Sequence, residues 1–540
     1  MRWEEAGRAV DELANGLLAL GIRKGDALGI LAQTTLEWVL FDYALARIGG
    51  VSAAIYANGS PADCRYVLEH SDAVGVLVED EEQRSKVAGL RLRHTISFAE
   101  LDELRDRGRA FAAEHPQALA DAEAAVDEED IFTFIYTSGT TGPPKGCMIR
   151  HRNYYEMARC VRDVEGFVVA NDVMLLYLPL AHNFGRLMHL LGAHIGYTLA
   201  FCPDPLHVAE ALPAVRPTIL PSVPRLYEKV HAALLAQFEQ TAGVRKRLLE
   251  WALGVGRQAS ALRQEQRPLP PWLALRLRLA DRLVYHKVKA KLGGRLRLGI
   301  SGGAPLASEI AELLHALDVL VLEGWGLTEC TTAAAVNRPN RFRFGTVGPA
   351  LPGCEVRAAE DGELLIRSPT VFAGYYKDEE ATREVLGANG WLRSGDVGEI
   401  DADGFIRVTE RKKDIIVTAG GKNVAPQNLE NALKRAPLVS QALVLGDRRP
   451  YVAALITLDP EQAADVPAEE LEARVQEIVD GVNAPLSRFE QIKRFAILPR
   501  EFTAEQGEVT PTLKLKRRVC EEHFAGEIAS LYDSAPAVPR

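Results

Sequence analysis

The chain has 540 residues, 47% of them hydrophobic, and a formal net charge of −10. That length allows about three or four domain-sized units. The hydrophobic content argues against disorder, and the acidic balance argues against a dedicated nucleic-acid binder.

The seven cysteines include no CxxC pair and read as free thiols in a reducing compartment. The N-terminus, MRWEEAGRAV, is charged and has no apolar h-region, so no signal peptide is expected. No apolar run reaches the roughly 20 residues that span a bilayer, so a soluble cytoplasmic protein is expected, with room for peripheral contact at the inner face of the membrane. The first elements alternate. AGRAVDELANGLLALGI has helical spacing and ends at Gly21, DALGILA is a short apolar strand, and EWVLFDYALARIGG is helical again. This βα alternation predicts a mostly parallel sheet covered by helices. Residues 104–130 are charged and Ala-rich and read as a surface segment. IFTFIYT (131–137) is a strong strand that runs straight into YTSGTTGPPKG (136–146).

That string lacks the Gly-Lys-Ser/Thr ending of a Walker loop, because Pro144 precedes Lys145 and Gly146 follows it. Backbone N–H groups of Thr137, Ser138, Gly139, Thr140, Thr141 and Gly142 can still converge on an anion. The hydroxyls of Thr137, Ser138, Thr140 and Thr141 add donors. Residues 225–295 hold 15 Lys/Arg against 5 Asp/Glu, a net of +10 that leaves −20 for the rest. A solvated face is the plain reading; attraction to anionic lipid head groups or an acidic ligand is the sharper one.

GISGG (299–303) fits a nucleophile elbow with Ser301, the mark of an α/β-hydrolase. Pro305 follows too closely for the helix that an elbow requires. LEGWGLTE (322–329) sets Trp325 between Gly324 and Gly326, a platform for a planar base. Glu323 precedes them, and Glu329 is a carboxylate able to hold Mg²⁺ against phosphate. WLRSGDVG (391–398) places Asp396 in a Gly-flanked turn, where its two oxygens suit a pair of ribose hydroxyls. From about residue 411 short β-rich pieces alternate with helical stretches at 426–435 and 467–484. GDRRPY reads as a hairpin turn between two of them. This predicts a separate small α+β domain.

In this order, YTSGTTGPPKG, SGGAP, EGWGLTE, WLRSGDVG, ERKKD and PTLKLKRR resemble the adenylate-forming enzyme superfamily, from about Trp3 to about Phe524. LPLAHNFGR (178–186), PSVPRLYEKV (221–230), the basic insert after it and AGGKNVAPQNLE (419–430) are similar to long-chain fatty acyl-CoA synthetases. The resemblance implies an α/β fold with two parts. A large N-terminal domain (1–410), multi-layered with parallel-rich sheets flanked by helices, would bind ATP and the acid. A small mobile α+β lid (411–540) would swing on a hinge near 411–414. It implies ATP, Mg²⁺ and coenzyme A as reactants, with a long-chain acid activated first to the acyl-adenylate. Transfer to a carrier protein, as in fatty acyl-AMP ligases, is the alternative to coenzyme A. The protein would be a monomer or homodimer.

The resemblance also implies the site. Residues 137–142 and Lys145 would hold the β- and γ-phosphates, and Glu329 with Thr137 the metal. Thr328 would contact the α-phosphate. Gly302, Gly303 and Ala304 would lie beside the adenine, with Trp325 stacked on it in the Glu323–Gly326 strip. Asp396 and Arg411 would take the ribose, and His182 the acyl carboxylate. Lys514 would be the catalytic lysine and Lys413 the hinge, while Gly420 and Gly421 would line the pantetheine path. Trp325 stands where the family more often has Tyr, and Glu410 opens a hinge motif that more often begins with Asp or Gly.

Overall fold

Short apolar runs bounded by turn residues become strands buried on both faces, as parallel sheets require. The computed structural model describes residues 1–137, 143–387, 389–464, 466–503, 505–510 and 515–533. Its first sheet has six strands: β1 (Ala27–Leu31), β2 (Val51–Ile55), β3 (Gly75–Val78), β4 (His94–Ser97), β5 (Ile131–Thr137) and β6 (Lys145–Arg150). Their order is β4-β3-β1-β2-β5-β6, parallel except for β5 with β6.

The second sheet joins β7 (Val173–Leu176), β8 (Thr198–Phe201), β9 (Ile219–Ser222), β10 (Leu298–Ser301), β11 (Val321–Trp325) and β12 (Ala335–Val336). The order is β12-β11-β10-β9-β7-β8, parallel except for β11 with β12. One apolar core contains residues of both sheets, such as Leu28 and Ile135 from the first and Met174 and Leu298 from the second. Between β9 and β10 the chain leaves for residues 223–297, then returns beside its departure point, Ile219 opposite Leu298. A four-stranded antiparallel sheet follows: β13 (Glu355–Ala358), β14 (Glu363–Arg367), β15 (Leu392–Ile400) and β16 (Ile406–Arg411).

The remaining chain builds a smaller α+β domain. It has the two-stranded β17 (Ile416–Val417) and β18 (Asn423–Val424). A three-stranded sheet adds β19 (Val439–Leu445), β20 (Val452–Leu458) and β21 (Ile492–Ile497). GDRRPY turns the chain between β19 and β20, which pair antiparallel. Helices Pro426–Leu433 and Ala468–Asn483 pack here, and the domain's two apolar clusters share no residue with the large core.

The charged 104–130 segment is only partly a surface element. Helix Leu101–Glu114 crosses the first helix, Trp3–Ala19, so closely that a Cβ on Gly108 would lie 1.9 Å from the Glu12 carbonyl. Composition hid this contact, because two glycines far apart in sequence, Gly16 and Gly108, make it. Helix Ala118–Ala124 buries none of its residues. All seven cysteines are free and buried.

Candidate active site

In a parallel sheet all strands end on one side, so loops after neighbouring strands meet there, and open α/β sheets bind ligands at that edge. Ser222, Ser301 and Glu323 lie in one register row across β9, β10 and β11. The loops beyond this row carry PSVPR, SGGAP and WGLTE. The Gly302 amide donates to the Ser222 carbonyl at 3.1 Å. Gly303 turns with φ of +83°, which glycine adopts at no steric cost. Both Gly303 and Ala304 are exposed at the edge. Glu323 is buried, and its carboxylate accepts the Leu306 amide at 2.9 Å, so it fastens the SGGAP loop to β11. Burial pushes its pKa up to about 7.

Ser301 is 1% exposed, and its hydroxyl has no hydrogen-bond partner among the described residues. The next helix begins only at Ser308. Without a base hydrogen-bonded to it among the described residues and without a strand–turn–helix elbow, the serine has no nucleophile geometry.

Trp325 ends β11 and is nearly buried. Its indole Nε1 donates to Asp396 Oδ2 at 2.7 Å, and Arg411 Nε lies 2.7 Å from Asp396 Oδ1. Asp396 and Arg411 are register partners on β15 and β16. Three residues from separate motifs therefore meet at one carboxylate. Gly324 and Trp325 pair with Val336 and Ala335 on β12. Gly326 faces the next turn of chain: a Cβ there would lie 2.3 Å from the Thr332 carbonyl.

Glu329 sits in the short 3₁₀ turn Thr328–Cys330. It accepts the Tyr375 hydroxyl on Oε1 at 2.6 Å. Burial first, and the Glu329 charge second, push the Tyr375 pKa up, so the phenol stays a donor. Lys145 Nζ lies 5.1 Å from the Tyr375 ring centre and 3.6 Å from Asp378. Thr137 and Lys145 are register partners on β5 and β6. The Thr137 hydroxyl is 3.9 Å from the Cys147 sulfur. Burial and the Glu329 charge hold that thiol protonated. Thr137, Lys145 and Glu329 thus surround Cys147 and Tyr375, two residues that motif reading missed. Tyr375 stands in a plain Gly-Tyr-Tyr turn, and nothing local marks it.

His182 is the N-cap of helix Asn183–Ile195, with Nδ1 accepting the Phe184 amide at 3.2 Å. In the neutral ring that leaves the proton on Nε2. Asn183 then ties this helix to the Glu329 turn. Its Nδ2 donates to the Thr328 carbonyl at 3.4 Å, and its own carbonyl accepts the Thr332 hydroxyl at 3.1 Å. One turn further, Arg186 is fully buried against Asp42 and Ser52.

In the smaller domain, Gly420 and Gly421 form the exposed turn between β17 and β18. Lys412 binds Asp361 at 2.6 Å and Glu363 at 3.0 Å, while buried Glu410 accepts the Gln427 amide at 3.0 Å. Lys413, the next residue after Lys412, is exposed and has no hydrogen bond or ion pair among the described residues. No such contact joins Lys413, Gly420 or Gly421 to the cluster around Glu329. Ser138, Gly139, Thr140, Thr141, Gly142 and Lys514 lie outside the described residues.

Two parallel-rich sheets, an antiparallel sheet and a small α+β domain, with these motifs gathered at the strand ends, define an adenylate-forming enzyme fold. The adenylation domain of a carboxylate reductase from Mycobacterium chelonae shares it, with a TM-score of 0.77 and 25% identity over 99% of this chain and 84% of that one. An anthranilate CoA ligase in complex with anthranoyl-AMP shares the fold with a TM-score of 0.74 and 22% identity, over 98% and 92%. The chain belongs to the AMP-binding enzyme family, which residues 1–376 match; residues 413–536 match the AMP-binding enzyme C-terminal domain. Long-chain-fatty-acid--CoA ligase FadD15 of Mycobacterium tuberculosis is 36% identical over 98% of this chain and 92% of its own length. Long chain acyl-CoA synthetase 7, peroxisomal, of Arabidopsis thaliana is 30% identical over 98% and 81%.

Proposed function

We propose that the protein converts a long-chain fatty acid to its CoA thioester at the expense of ATP. The carboxylate oxygen attacks the α-phosphorus, the bond to the β-phosphate breaks, and pyrophosphate leaves. The thiol sulfur of coenzyme A then attacks the acyl carbon of the adenylate. The carbon–oxygen bond to phosphate breaks, and AMP leaves. The observation that carries this reading is the meeting of Trp325, Asp396 and Arg411 at one carboxylate beside the SGGAP edge. It supplies a ring face and a ribose acceptor at the strand ends. A carboxylate has about four lone-pair positions; the indole and the guanidinium take two, and two remain for ribose hydroxyls.

The Gly-rich stretch 137–142 and Lys145 would cradle the phosphates. Glu329 and the Thr137 hydroxyl fit Mg²⁺, a cation that takes one or two protein oxygens and completes its shell with phosphate and water. Bound there, it would neutralise charge on the phosphate oxygens. Tyr375 fixes the Glu329 rotamer by its hydrogen bond. Asn183 holds His182 and Thr328 in a constant relation, so carboxylate and α-phosphate can be oriented together. Lys514 would add positive charge during adenylation. Rotation of the domain after about residue 410 would then exchange it for the Gly420–Gly421 turn.

The test is pyrophosphate release with acids from acetate to oleate, with and without coenzyme A. C12–C18 acids should outperform acetate, since each methylene buried in an apolar channel contributes about 0.8 kcal/mol. Equal or better turnover of acetate or an aromatic acid sinks the acyl assignment. Adenylate without thioester points instead to a carrier-protein acceptor.

A further inference from the structure

The basic stretch 225–295 folds into helices Pro224–Glu239, Gly243–Gln264 and Pro271–Ala280, a π-helical turn Asp281–Tyr285, and helix His286–Lys291. Helix Pro271–Ala280 packs on Gly243–Gln264 and buries Leu273 and Ala280 in the large core. Its other side carries Trp272, Leu275 and Leu279, which are 54%, 67% and 49% exposed. Leu283, 39% exposed, continues the row one turn later. At about 100° per residue the first three lie within an arc of about 60°. Arg276 borders one edge of this arc and Arg278 and Arg282 the other, all exposed.

Lys289, nearby, is held by Asp281 and Asp318. Arg276, Arg278 and Arg282 have no carboxylate partner among the described residues; the Arg276 guanidinium lies 5.6 Å from the Trp272 ring centre. Single exposed leucines are ordinary on a protein surface. A tryptophan and three leucines in one row, rimmed by unpaired arginines, are not. We propose that this row seats the protein on an anionic lipid bilayer, with the apolar side chains in the head-group boundary and the arginines on lipid phosphates.

Charge selects this occupant over others. The chain as a whole is acidic and is repelled by an anionic membrane, while residues 225–295 carry a net of +10. Approach is therefore favoured through this region. A second copy of the chain docked by two-fold symmetry would bring the same arginines against one another. No helix among the described residues is long and apolar enough to cross a membrane, so the contact proposed is interfacial.

The experiment is flotation of the full chain with phosphatidylcholine vesicles, with and without phosphatidylglycerol. Binding should require the anionic lipid and weaken as salt rises. Leu275→Ser with Leu279→Ser removes two exposed side chains and should lower partitioning by about tenfold or more. Arg278→Gln with Arg282→Gln should erase the preference for anionic vesicles. Lipids brominated near the head group should quench the wild type, and Trp272→Phe should lose that quenching. Binding that survives the leucine pair, or that ignores lipid charge, overturns the proposal. So does a solution dimer that the leucine pair dissolves, which would assign the face to a second copy.

Discussion

Trp325 shows how one side chain can serve two groups. Its N–H holds Asp396, and in the proposed site its ring would stack on the nucleotide base. Trp325→Phe keeps an aromatic face and removes the donor. A hydrogen bond to a charged group is worth about 1.5–3 kcal/mol, so ATP affinity should fall about tenfold or more with kcat less affected. Calorimetry with ATP, beside steady-state kinetics, reads this; unchanged affinity would show that the bond does not orient Asp396. Glu323 gives a pH signature. Its pKa of about 7 lies above the ordinary value of 4.5, so its contribution to stability is fully present below about pH 4.5 and is lost as pH rises through 7. Glu323→Gln removes that titration and can keep the bond to the Leu306 amide. Its melting temperature should exceed that of the wild type more at pH 8 than at pH 5. An equal difference at both values would exonerate Glu323. Residue types and local spacing marked Trp325, Asp396 and Glu329 as candidates. The partners that aim them were hidden because they act across the fold: Tyr375 stands in no distinctive string, and Asn183, inside LPLAHNFGR, stands beside His182, which drew the reading instead.

Elements were more legible than contacts between them. Apolar runs such as IFTFIYT and turns such as GDRRPY predict strands and a hairpin because burial and backbone geometry act over a few residues. The crossing at Gly108 depends on a distant helix and leaves as its trace only Gly108 and Gly16, which no local pattern links. The same distinction separates two glycines of the candidate site. Gly326→Ala drives a methyl into the Thr332–Ala333 backbone, where even a rotamer change gives no relief. The strand-to-turn element should lose about 1–3 kcal/mol in urea unfolding, and pyrophosphate release should fall with it. Gly420→Ala meets nothing nearer than the Thr418 hydroxyl at 3.9 Å, so the fold should be unchanged. Any loss in that variant should fall on thioester formation alone, measured from pre-made acyl-adenylate. A Gly326→Ala protein as stable as wild type would mean that the 325–333 turn yields easily.

At the scale of the molecule, two reactions need two third partners at one site. Glu410 ties the end of β16 to the small domain, Lys412 ties the chain to the large one, and Lys413, directly after them, is unattached among the described residues. A swivel needs freedom at a few such positions, and proline fixes φ near −65°. Lys413→Pro should therefore retain most single-turnover pyrophosphate release while thioester formation falls about tenfold or more. Lys514→Ala should do the reverse, with adenylation down about 10²–10³, as for loss of one transition-state charge donor. Equal slowing of both half-reactions by Lys413→Pro in a folded protein would move the pivot elsewhere.

The long excursion between β9 and β10 has a consequence of another kind. The hydrogen-bonded register holds Ser222 beside Ser301 whatever the chain does between them. The outward side of residues 223–297, whose inner side belongs to the large core, is thus an open slot in the architecture. Substitutions on their outward face can accumulate without altering the spacing of the strand-end row. The membrane contact proposed for that face could then drift under one selection while the strand-end row is kept under another.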